Sequence, residues 1–168
     1  MKKLTALLLA VLLVFGLAAC AGSPAEPNAK PGDTMTLQDI LTSITKDVAD
    51  LPDTETTELT KDNFEYFAFT AMPDGVEAIA ADALINAVAH SVVLMRAQDA
   101  ETAKKLAADV EANLNPAKWV CVEAEKTAVL VHNCTVLLVM SWSDVTDALT
   151  ANFNALWSCD GILWRGIP

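Results

Sequence analysis

Two histidines and four cysteines are the scarce reactive side chains of this 168-residue chain. His132-Asn133-Cys134 sets an imidazole and a thiol beside a predicted turn, the start of a metal site. Zinc usually takes four ligands, and no CxxC, HxH or HExxH pattern supplies the rest. Polar turn residues account for the tripeptide more simply. His90 stands next to Ser91 in an apolar run that reads as a strand. Neighbours in a strand point to opposite faces, so this base and this nucleophile cannot bond as a dyad. Glu123 and Glu125 alternate and would share a strand face, the layout of paired-carboxylate chemistry, but Lys126 and solvent explain them without it. No GxSxG, P-loop, GxGxxG or calcium-loop pattern occurs. The residues therefore assign no catalytic group, no metal and no cofactor. They favour a non-catalytic binding or interaction module. The alternative is a small extracytoplasmic enzyme or metal-binding protein using scattered carboxylates or His132 and Cys134.

The most informative cysteine is Cys20. Lys2 and Lys3 form a positive start, residues 4–16 form an apolar core of 13 residues, and Ala18 and Ala19 precede the cysteine. This is the order of a secretory signal peptide, with a core too short to span a bilayer comfortably. Leu17-Ala18-Ala19-Cys20 resembles a bacterial lipobox. The resemblance implies cleavage before Cys20 and a diacylglyceryl group on its sulfur, an anchor with enough acyl chain to be stable. The expected organisation is a signal peptide over residues 1–19, a lipidated cysteine with its tether over 20–35, and a single domain over 36–168. Residues 21–33 carry Pro24, Pro27, Pro31, Gly22 and Gly32 and no large apolar side chain. That composition predicts an extended spacer reaching up to roughly 40 Å from the bilayer at about 3.1 Å per residue.

Charge narrows the partners. The chain carries a net −11, and loss of Lys2 and Lys3 with the signal takes it to −13. Such a surface is repelled by nucleic acid and by anionic headgroups, so contact with the membrane is expected only through the lipid. The remaining partner is an unknown protein or small molecule. Cys121, Cys134 and Cys159 remain after the lipidated cysteine, an odd number, which leaves at least one thiol unpaired in a monomer. A strand starting at Cys134 advances about 25 Å at roughly 3.3 Å per residue, and the helix that follows returns about 20 Å at 1.5 Å per residue. With a two-residue turn at His132-Asn133, this brings Cys159 back toward Cys134 and leaves Cys121 at the far end, making Cys134 and Cys159 the candidate disulfide.

These residues must be held by elements that the apolar spacing reveals. Leu37, Ile40, Leu41, Ile44, Val48 and Leu51 form a helical stripe, capped by Thr36 with Asp39 and ended by Pro52. Thr60 opens a short helix through Phe67, with a strand over 64–70 as the alternative. VEAIAADA and VAHSVVLMRA read as paired strands. Asp99 caps a helix carrying Ala103, Leu106, Ala107, Val110 and Leu114, which Asn115-Pro116 stops. VCVEAEKTAVLV and CTVLLVMS form a second pair, with Trp119 at its start, and Ser143 caps a last helix. The expected fold class is α+β: a four-stranded antiparallel sheet built from ββα twice, with helices on one face and an N-terminal helix before it. The chain finishes SCDGILWRGIP. Ile162, Leu163 and Trp164 are expected to pack as an extra edge strand or plug, or else to meet a partner.

HSVVLMRAQD, NPAKWVCVEAEKTAVLV and the closing VLLVMS together resemble an uncharacterised lipoprotein family, the domain of unknown function four-three-five-eight. The resemblance spans roughly residues 37–141, and its most specific piece is 116–125 with Trp119. It implies a small lipid-anchored extracytoplasmic α+β domain and supplies no catalytic residues.

Overall fold

The computed structural model describes residues 29–158. In chain order the elements are α1 (Pro31–Thr34), α2 (Leu37–Thr45), β1 (Thr54–Glu58), α3 (Phe64–Ala68) and β2 (Glu77–Ala83). There follow β3 (Ser91–Arg96), α4 (Ala100–Asn113), β4 (Lys126–His132), β5 (Thr135–Ser141) and α5 (Ser143–Ala155). Among the described residues the strands make one five-stranded sheet in the order β1-β2-β3-β5-β4, with every pairing antiparallel. No helix among them is long and apolar enough to cross a membrane.

The α+β composition is as expected, but the four-stranded sheet with helices on one face is overturned twice. A fifth strand, β1, pairs with β2. The helices also lie on both faces. Val93, Met95, Val136, Leu138 and Met140 pack with α3 and α4, while Val92, Leu94, Leu137 and Val139 pack with α2 and α5. The cause is in SVVLMR and TVLLVMS, which are apolar at consecutive positions. A strand buried on both faces needs a layer on each, and β3 and β5, buried at every position but Arg96, have both.

Local chemistry moves several boundaries. α2 stops at Thr45, and Asp47 and Asp50 then adopt φ of 58° and 56°, left-handed backbone that Asp tolerates better than most residues. Asn152 on α5 caps the orphan carbonyl of Ile44 at 2.8 Å. Pro31–Thr34, assigned by composition to the spacer, forms α1, whose Gly32 N–H donates to the Leu156 carbonyl. The turn between β4 and β5 is Asn133-Cys134, because His132 pairs with Thr135, and Asn133 takes the left-handed position at φ 48°. Trp119, Cys121 and Glu123 lie in an irregular segment before β4 instead of opening a strand. That segment is closed by the Ala124 N–H on the Pro116 carbonyl at 2.9 Å.

Candidate functional site

The sheet has two ends with different chemistry. At one end β2 finishes at Ala83 and β3 begins at Ser91, and this end gathers the buried ionisable groups. Asp82 and Ser91 are cross-strand partners, and the Ser91 hydroxyl donates to the Asp82 carboxylate at 2.5 Å. The irregular segment beyond α4 brings Lys118 onto them, its Nζ 3.1 Å from both the Asp82 carboxylate and Ser91 Oγ. The Lys118 side chain is 4% exposed. Its ammonium also lies 5.0–5.1 Å from the ring centres of Tyr66, Phe67 and Trp119, within reach of their negative faces. Burial pulls the Lys118 pKa down, while the charge of Asp82 and its hydrogen bond push the other way.

A serine and a lysine at this distance resemble a nucleophile and its base, but the proton directions are wrong for attack. Lys118 donates to Ser91, Ser91 donates to Asp82, and Ser91 has no exposed surface. The network ties the irregular segment to the sheet. His90 lies on the opposite face, as strand alternation requires, with Nδ1 2.9 Å from Ser141 Oγ. It is 1% exposed, and burial lowers its pKa to about 4.

Around this network stand the large apolar side chains that the described residues leave exposed. They are Tyr66 at 60%, Leu84 at 61%, Ile85 at 65% and Val120 at 100%. Tyr66 is the ring beside Lys118, Val120 follows Lys118 by two residues, and Leu84 and Ile85 follow Asp82 by two and three. The polar network therefore ties together the segments that carry these exposed side chains at one end of the sheet. Sequence reading missed this because the residues are scattered between positions 66 and 120 and none carries a motif.

The other end is where the described chain begins. Asp33 accepts from Asn133 Nδ2 at 2.6 Å, Trp157 Nε1 at 2.8 Å and the Lys30 N–H at 2.9 Å. Burial alone would raise its pKa, but these hydrogen bonds and the Arg96 charge outweigh it and hold the carboxyl below its ordinary value. His132 stacks on Trp157 at 5.0 Å and its Nε2 meets Asn154 Oδ1 at 2.8 Å. Its ring is thus committed to packing, and Cys134 lies in the turn two residues on. Among the described residues no group of three or more His, Cys, Asp or Glu side chains converges as a metal site.

The paired-carboxylate arrangement does not form either. Glu125 accepts from the Ser143 N–H at 3.1 Å and so serves as the cap of α5, a role expected of Ser143. Cys20, Cys159, Ile162, Leu163 and Trp164 lie outside the described residues. Compared with family models, curated proteins and solved structures, the chain matches none.

Proposed function

We propose that this protein is a lipid-anchored extracytoplasmic interaction module, non-catalytic, that meets its partner through the apolar end of the sheet around Lys118. One observation carries the interaction surface: Tyr66, Leu84, Ile85 and Val120, all exposed, gather on one end, and it is the end opposite α1. Exposed apolar groups collected around a rigid support mark interaction sites more often than scattered ones do. The lipobox supplies the anchor. With the spacer leading into α1, it attaches the domain at the end away from the apolar side chains. The sealed Ser91 and Ser141 hydroxyls favour binding over the small-enzyme alternative, since both serines that have a basic neighbour among the described residues, Lys118 and His90 respectively, are fully buried.

The test is site-directed photocrosslinking in intact cells. A photoreactive residue at Leu84 or Val120 is expected to capture one partner, and the same residue at Lys104 on exposed α4 is expected not to. Leu84→Ser with Ile85→Ser should abolish that capture while leaving the urea unfolding midpoint unchanged. Equal capture from Lys104, or capture that survives the double substitution, would overturn the docking surface.

A further inference from the structure

At the end that carries α1, a groove of about 590 Å³ opens on the face shared with α2 and α5. Its volume falls within the range of small binding clefts. Met35 and Leu37 form one wall, and Ile79, Glu58, Glu77 and Arg96 come from the sheet. Glu58 is the cross-strand partner of Ile79, and Glu77 is two residues along β2, so all three point to this face.

Charge in the groove is not balanced from within. Glu77 is the cross-strand partner of Arg96, a pairing that would ordinarily join the two. The Arg96 guanidinium instead donates to the Met35 carbonyl at 2.7 Å, the Gly32 carbonyl at 3.2 Å and Thr135 Oγ1 at 3.3 Å. Ion pairs among the described residues join Lys61–Asp74, Lys105–Asp109, Lys118–Asp82 and Lys126–Asp147, and neither Glu58 nor Glu77 takes part.

The groove is continuous with an open strand edge. β1 is the last strand of the sheet on that side and contributes Thr56 and Glu58 to the lining. Its sequence, TETTE, is exposed at Glu55, Thr56 and Glu58 and has no cation. A second copy of a chain with net charge −11 would bring carboxylates of both copies onto the same edge, which charge repulsion opposes. A segment of opposite charge meets no such barrier.

We propose that the edge of β1 and the groove beside it receive an extended peptide segment whose alternate residues are Lys or Arg. Strand addition supplies backbone hydrogen bonds from the edge, and the two-residue period sends every second side chain to the face that carries Glu58 on the neighbouring strand and Glu77 one strand further in. The aliphatic stems of those side chains lie along Met35, Leu37 and Ile79. This site is separate from the apolar end and does not rest on the reading given for it.

The experiment uses the full chain purified in detergent and a fluorescent, end-blocked heptapeptide TKVKVKT, read by anisotropy. Saturable binding is expected, weakening as salt rises, with at least a tenfold loss in Glu58→Gln/Glu77→Gln. The peptide TEVEVET should not bind. Two N-methylated forms, blocked at the odd or at the even backbone amides, should differ, because only one set faces the edge. Leu84→Ser/Ile85→Ser should leave the affinity unchanged, which separates this site from the apolar end. Absence of saturable binding, equal binding of TEVEVET, or full binding by Glu58→Gln/Glu77→Gln would overturn the proposal. Equal binding of both N-methylated forms would overturn it too, since the carboxylates would then be taking a cation without a strand.

Discussion

His90 and Lys118 are both buried ionisable groups, and they affect stability in different ways. Burial favours the neutral imidazole of His90, lowering its pKa from 6.5 to about 4. Above pH 6.5 it is neutral in both folded and unfolded chains, and its contribution is complete. As pH falls from 6.5 toward 4 the unfolded chain takes up a proton that the folded chain refuses, so stability is lost across that window. The loss is roughly 3 kcal/mol at full extent. Urea midpoints measured between pH 7 and 4 should fall for the native chain and flatten in that range for His90→Gln; an equally steep fall in the variant would remove His90 as the cause. Burial lowers the Lys118 pKa, and Asp82, 3.1 Å away, offsets part of that fall. Lys118→Met leaves Asp82, a quarter exposed, to rehydrate, so a cost of about 1–3 kcal/mol is expected, less than for a fully buried pair. Asp82→Asn should cost more, because it leaves the sealed ammonium without its counter-charge. A double-mutant cycle in urea measures the coupling, and a value near zero would show that the aromatic rings hold Lys118 unaided.

At the scale of elements, the sequence was most legible where one face alone is buried. The stripes of α2, α4 and α5 were visible because three or four positions per two turns stay apolar. Consecutive apolar residues in β3 and β5 carried the signal for a two-faced cover, and pairing them into hairpins obscured it. β1 gave no signal, since TETTE has no apolar alternation and is a strand because β2 offers it a backbone edge. VCVE failed in the opposite sense: it alternates like a strand, yet Pro116 and the Lys118 anchor keep that segment irregular. α1 could not be read at all, because what holds it is tertiary. The place where a Gly32 Cβ would stand is filled by the Trp157 ring. Gly32→Ala is therefore expected to push α1 off α5, costing on the order of 1–3 kcal/mol and breaking the Asp33–Trp157 hydrogen bond. Hydrogen exchange should show lost protection at Gly32 and Met35, whose N–H groups donate to Leu156 and Pro31. Unchanged protection there would mean that Trp157 swings aside without releasing the helix.

For the molecule as a whole, the sheet sets apart two ends with different chemistry. The tight Asp33–Trp157–Asn133 cluster fixes α1 at one end, and the exposed apolar side chains near Lys118 lie at the opposite end. Under the proposed anchoring, Cys20→Ala should move the protein from the membrane pellet to uncleaved precursor or released material. Normal processing with full membrane retention would remove the lipid anchor from the proposal. Cys121 then reports orientation, since it is an exposed thiol next to Val120 at the apolar end. A membrane-impermeant maleimide added to cells stripped of wall and outer layers should label Cys121, as mapped by mass spectrometry, without lysis. A bilayer-facing orientation would slow that labelling relative to detergent-released protein, because the thiol would lie against the headgroups. Cytoplasmic residence would abolish it until the cells are broken. Labelling at equal rates before and after release is the outcome expected of a domain that holds its apolar end outward.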